Sequence, residues 1–287
     1  MSFTNIVNAE WVKSRWGEGA GESERVVIAD VRFSPKDAHY GRNAYDEGHL
    51  PGAVFIDFKA DLTDPAGEHG GRSPLPSPER LAGLFGGLGI DGLTTVVVYE
   101  DGNGPAASRL WWILKYLGHD NVYVLDGGYS AWTAAGFPVT QETSVPEVRA
   151  FIPAVRPELL ADVNEVRAAS ERRVSAALVD SRDANQYLGL EAPFDPVAGH
   201  IPSAANFFWK DSLNEDGSWK TPEQLRESFS GLGSSSDEII VYCGSGISAT
   251  PNVLALQEAG FTNVKLYSGS WSDWISYSEN PVATGEE

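Results

Sequence analysis

The run Glu238-Ile-Ile-Val-Tyr242, followed by Cys243-Gly-Ser-Gly-Ile-Ser248 and then by Ala249 to Gly260, decides the fold of this chain. The β-branched run reads as a buried strand, the small residues as a turn, and the last segment as a helix. A strand entering a helix through such a turn surrounds it with unpaired backbone N–H groups, and the helix dipole adds positive potential. Cys243, the single cysteine of 287 residues, opens that turn. Most free cysteines are small buried hydrophobes. Here two glycines and two serines follow at once, a loop with nothing to pack, and Cys243 is read as a nucleophile favoured as thiolate.

The same pattern occurs twice. Val27-Ile-Ala-Asp30-Val-Arg32 is followed by Gly48-His-Leu-Pro-Gly-Ala53, and Leu178-Val-Asp180-Ser-Arg182 by Gly199-His-Ile-Pro-Ser-Ala204. Thr95-Val-Val-Val-Tyr99 matches Glu238 to Tyr242, and Leu125-Asp-Gly-Gly-Tyr-Ser-Ala-Trp132 matches Tyr267-Ser-Gly-Ser-Trp-Ser-Asp-Trp274. Four motifs in one order at nearly constant spacing mean an internal duplication. Each half alternates short β-branched runs with helical stretches such as Pro105 to Leu117 and Pro222 to Phe229, which predicts α/β domains with mainly parallel sheets flanked by helices. Residues 1–139 and 158–287 are the two domains, joined by a proline-marked linker over 140–157. Sites in such sheets lie beyond the carboxyl ends of strands, where Cys243 falls. The first half has Glu100 in place of the cysteine and is expected to be catalytically silent.

A hydrophobic content of 42% is that of a globular chain, and a net charge of −19 argues against nucleic acid and anionic membranes as partners. One cysteine permits no internal disulfide. Met1-Ser-Phe-Thr-Asn-Ile6 lacks a basic segment before an apolar stretch, and no run is long enough to span a bilayer. The expected location is the cytoplasm. An anionic substrate would need a locally electropositive site in so acidic a body.

Several chemistries use a cysteine in such a loop. A phosphatase needs an arginine closing it, but Ala249, Thr250, Pro251 and Asn252 follow. A cysteine hydrolase needs a histidine base; none is adjacent, and His49, His69 and His200 are left to approach through space. A metal site lacks a second cysteine. Sulfur-atom transfer remains: the thiolate takes sulfur from a donor as a persulfide and passes it to an acceptor, with no organic cofactor and no metal.

The paired Asp-x-Arg and Gly-His-[Ile/Leu]-Pro motifs, the Cys243-Gly-Ser-Gly loop and the ending Gly269-Ser-Trp-Ser-Asp-Trp274 resemble the tandem-domain rhodanese-type sulfurtransferases over nearly the whole chain. The resemblance implies two rhodanese-like domains, the first inactive and the second carrying the persulfide on Cys243. Its loop, neutral where thiosulfate enzymes have basic residues, looks like the 3-mercaptopyruvate branch, with thiosulfate as the alternative donor. It implies a small anionic sulfur donor and a thiol or cyanide acceptor, which a thioredoxin-like protein would also supply. A non-catalytic rhodanese module that binds a partner is the rival reading.

By this resemblance Gly244, Ser245, Gly246, Ile247 and Ser248 cradle the donor. Gln186 stands where many members bind the donor's anionic end with arginine, and the mercaptopyruvate branch has a second arginine near Phe194-Asp195, where none is present. Ser73 replaces a histidine of that branch, leaving His69 and Arg72 close enough to substitute. Arg182 is also a candidate for the donor, although its duplication as Arg32 points to an ion pair within each unit.

Overall fold

The computed structural model describes residues 4–15 and 25–286. Residues 1–3, part of the segment read for location, lie outside them.

The first half contains β1 (Ile6–Val7), α1 (Ala9–Arg15), β2 (Val26–Asp30), α2 (Tyr40–Glu47), β3 (Val54–Phe55), α3 (Phe58–Leu62), α4 (Pro78–Gly87), β4 (Thr95–Tyr99), α5 (Pro105–Tyr116), β5 (Val122–Leu125) and α6 (Gly128–Ala134). Its strands pair in the order β1-β5-β4-β2-β3, all parallel. The second half contains α7 (Val163–Ser170), β6 (Ala176–Asp180), α8 (Ala184–Tyr187), β7 (Ala204–Asn206), α9 (Pro222–Ser228), β8 (Glu238–Tyr242), α10 (Thr250–Glu258), β9 (Val264–Leu266) and α11 (Ser270–Trp274). Its order is β7-β6-β8-β9, again all parallel.

The duplicated motifs fall on equivalent places. Asp30 registers with Tyr99 and Asp180 with Tyr242 at the carboxyl ends of the central strands. Each aspartate takes a buried arginine two residues on: Arg32 Nη2 lies 2.7 Å from Asp30 and 2.8 Å from the Gly48 carbonyl, Arg182 Nη2 2.6 Å from Asp180 and 2.8 Å from that of Gly199. His49 stacks on Tyr45 at 3.7 Å between ring centroids and His200 on Tyr187 at 3.8 Å. Both imidazoles are fully buried, and their Nδ1 atoms meet the backbone carbonyls of Tyr45 and Tyr187. These histidines hold each unit together and are not free to act as bases.

Pro105 and Pro251 sit in the first turns of α5 and α10, where a missing N–H costs no helical hydrogen bond. The two helices pack together across the halves. One apolar cluster runs from Leu110, Trp111 and Leu114 through Val253, Leu254 and Leu256. The backbone N–H groups of Thr4 and Asn5 donate to the Glu258 carboxylate, at 2.8 and 2.6 Å, so the chain's start is tied to the second half. Segment 140–157 lies along the first half, with Arg149, Ala154 and Arg156 N–H groups donating to the carbonyls of Gly86, Leu117 and Tyr116. Among the described residues no helix is long and apolar enough to cross a membrane.

Candidate active site

Strand β8 is buried from Ile239 to Tyr242 and delivers Cys243, also fully buried, at its carboxyl end. The Gly246 N–H donates to the cysteine sulfur at 3.2 Å. Only glycine fits there: φ is +75°, and a Cβ would lie 2.1 Å from the Ser268 carbonyl oxygen. The loop carbonyls are held from the other side, because Trp271 and Ser272 N–H groups donate to Cys243 O and Gly244 O at 2.9 and 3.0 Å.

Ser270 completes the cradle. It adopts φ +57° where the first half has Gly128 at +53°, a conformation that costs a β-carbon-bearing residue about 1–2 kcal/mol. Its Oγ accepts the Cys243 N–H at 3.1 Å and lies 4.0 Å from the sulfur. The exchange of glycine for serine between the repeats was the legible signal for this residue.

Two guanidinium groups flank the cysteine, one from each half. Burial lowers the Arg182 pKa, but Asp180, Tyr242 and Cys243 together hold it above its ordinary value. Arg109, on α5, has no exposed surface. It donates to the carbonyl oxygens of Gly246 at 2.8 Å and Ser73 at 3.3 Å. Burial pushes it down to about 10, offset only by the Cys243 charge. Arg109 escaped the sequence reading. Its signal was a charge inside a helix whose residues Ala106 to Leu114 are all buried, since such a charge must have a partner.

A cavity of about 410 Å³ opens between the halves, in front of the loop. Ser245, Ile247 and Ser248 form one wall; Phe33, Lys59, Arg72, Ser73 and Glu100 belong to the opposite wall. Lys59 is lowered by burial and then by the charges of Arg72 and Arg109, which marks a cationic cluster inside a strongly acidic molecule. Arg72 is brought across the interface by its neighbours: the Gly70 N–H donates to Asp273 at 2.7 Å and the Arg72 N–H to Ser272 Oγ at 3.1 Å. Its guanidinium rests on the loop, where a Cβ on Gly244 would come within 2.5 Å of Nη2.

The other candidates lie elsewhere. Arg182 is committed to Asp180 and Gly199, and Gln186 donates to Asp183 at the start of α8. Neither belongs to the cavity wall, because the short turn after β6 spends both side chains on local partners. His69 is exposed, stacked on Tyr277 and 2.8 Å from Ser276 Oγ, so Arg72 enters the cavity and His69 does not. Among the described residues no group of acidic, histidine or cysteine side chains is disposed to hold a metal ion.

Glu100 occupies the first-half equivalent of the cysteine position and is 7% exposed. It accepts the Ala107 N–H at 2.9 Å at the start of α5, filling its own cradle with a carboxyl group. Burial raises it from 4.5 to about 8, against the opposing effect of the Ala107 and Ala106 N–H groups. The folded state therefore keeps a proton that the unfolded chain loses above pH 4.5, and stability falls as pH rises between 4.5 and about 8. Glu100→Gln is expected to gain stability over wild type through this window, on the order of 4 kcal/mol at pH 9 and little at pH 4. Thermal unfolding at the two pH values measures it; an equal shift at both contradicts the titration.

The profile of the rhodanese-like domain family matches residues 9–135 and 162–277. The chain belongs to the rhodanese family. This rhodanese is 40% identical over 290 residues to a probable 3-mercaptopyruvate sulfurtransferase of Pseudomonas aeruginosa, with all of both chains covered. It is 35% identical over 295 residues to thiosulfate sulfurtransferase of Cricetulus griseus, covering 99% of this chain and 97% of the relative. The crystal structure of SseA from Escherichia coli, described with the rhodanese fold and mechanism of 3-mercaptopyruvate sulfotransferases, superposes with a TM-score of 0.80 at 32% identity, covering 94% of this rhodanese and 99% of SseA.

Proposed function

We propose that this protein is a cytoplasmic sulfurtransferase that moves a sulfane sulfur from 3-mercaptopyruvate, or alternatively from thiosulfate, to cyanide or a thiol, and that Cys243 carries it as a persulfide. The observation that carries the proposal is the Cys243 sulfur under the Gly246 N–H, 3.2 Å away, behind a cavity lined by Lys59 and Arg72. The thiolate attacks the donor sulfur and forms an S–S bond. The donor's C–S bond breaks with its electron pair, leaving the enolate of pyruvate, which takes a proton at carbon; from thiosulfate the leaving group is sulfite. The acceptor then attacks the outer sulfur and releases the thiolate. Among acceptors a thiol on a thioredoxin-like protein is included, while nucleic acid and membranes are not, given a net charge of −19.

The loop from Gly244 to Ser248 takes the donor, and Arg72 takes its carboxylate, as a charge-assisted bond roughly twice as strong as a neutral one. Arg182 adds positive potential beside Cys243 without touching the donor, and residue 100 in the first half makes no covalent bond. The lone cysteine and the absence of any disulfide are compatible with a reducing compartment. Steady-state rates with the two donors test the reading, with 3-mercaptopyruvate expected to give the larger kcat/KM. Equal inactivity with both overturns it.

Gln186 is the remaining donor candidate. Its amide is bonded to Asp183, so Gln186→Arg is expected to form an ion pair with that carboxylate and to change kcat/KM for either donor less than about twofold, as surface pairs contribute little. A tenfold gain for thiosulfate would instead place residue 186 at the donor.

A further inference from the structure

Arg72 already carries a counter-ion. Its guanidinium pairs with Asp195, a residue of the second half on the irregular stretch after α8. The Asp195 side chain is 9% exposed and that of Arg72 33%. Phe194, beside Asp195, lines the cavity, and the Arg72 guanidinium carbon lies 5.7 Å from its ring centroid. The stretch is fastened further on, where Trp271 Nε1 donates to the Val197 carbonyl at 3.0 Å. A resident carboxylate thus lies against the cation that faces the loop, on the segment whose Phe194 lines the cavity.

We propose that Asp195 is a specificity-determining residue, a built-in counter-ion that the donor must bind beside or displace, and that it biases the cavity against dianions. The inference rests on the sulfurtransferase reading for its substrates. Its physical basis is general. The Coulomb energy between a fixed charge and a ligand is proportional to the ligand's charge. Removing the Asp195 charge therefore multiplies the affinity of a dianion by the square of the factor gained by a monoanion at the same place. A neutral-sulfur donor with one carboxylate suffers one unit of repulsion from Asp195; thiosulfate suffers two. A merely structural Asp195, bracing Arg72, has the opposite consequence, because its loss would slacken Arg72 and weaken both donors alike.

Asp195→Asn in the full-length protein separates the two. It is expected to raise kcat/KM for 3-mercaptopyruvate about threefold and for thiosulfate about tenfold, through KM with kcat nearly constant. Asp195→Glu, which restores the charge, is expected to keep the wild-type ratio, and Asp195→Ser carries the same test should the amide misplace Arg72. Calorimetric binding of pyruvate and of sulfate, a monoanion and a dianion without a transferable sulfur, should show the same unequal gains. Equal factors for the two charges, or a loss for both, overturn the role of Asp195. Failure of the functional reading looks different: no persulfide on wild-type protein with either donor, while the pyruvate and sulfate comparison still decides Asp195.

Discussion

Cys243→Ser is expected to reduce sulfur transfer to below about a thousandth of wild type, because a serine hydroxyl is far less acidic than a thiol and cannot hold a sulfane sulfur. The substitution is nearly isosteric at a site with no exposed surface, and the Gly246 N–H can point at oxygen as well as at sulfur. Stability should change by no more than about 1 kcal/mol. Intact-protein mass spectrometry makes the chemistry visible. Wild-type protein incubated with donor should gain the mass of one sulfur atom and lose it on adding cyanide, while Cys243→Ser should gain nothing. Substantial turnover by the serine variant would remove the persulfide from the mechanism.

Arg109→Met is expected to lower kcat/KM about a hundredfold with little change in stability. The guanidinium holds the cysteine loop from the first half, donating to Gly246 O at 2.8 Å, and Gly246 in turn donates to the sulfur. A hydrogen bond from a charged donor contributes about 1.5–3 kcal/mol, and the variant also loses a positive charge that acts on Cys243. Burying that charge is itself costly, as its depression to about 10 records, and a buried ion can often be replaced by a hydrophobic side chain of similar volume without loss of stability. Activity and stability should therefore separate. Arg109→Lys, which can keep one of the two bonds, should recover part of the rate and little of the loop geometry. Activity within threefold of wild type in Arg109→Met would show that the loop holds its shape without Arg109.

This dependence explains why the fold was legible from local pattern and the site only in part. Short apolar runs, prolines at helix starts and the duplicated motifs are read along the chain, because backbone hydrogen bonding and burial act over a few residues. The position of Cys243 at a strand end and the small-residue loop after it follow from Glu238 to Gly260 alone, and the two parallel sheets from the duplicated motifs of both halves. Gly246 has to be glycine for a reason the sequence cannot state, the approach of Ser268, but its place in the loop was already suggestive.

The sequence by itself determined the family, the duplicated parallel α/β domains, and the place of the lone cysteine in a small-residue loop at a strand end. Only the tertiary structure decided what stands around them. Lys59, Arg72 and Arg109 lie at least 134 residues before Cys243 in the chain, and they reach its cavity or its loop because α5 packs on α10 and segment 70–73 is tied to α11. Arg182, already pointing to an ion pair by its duplication, and Gln186 were both donor candidates along the chain, and Asp180 and Asp183 hold them. Charges act through space and are not confined to sequence neighbours. Which cations line the cavity is settled by packing between the two halves, while Arg182 and Gln186 are spent on carboxylates of their own turn.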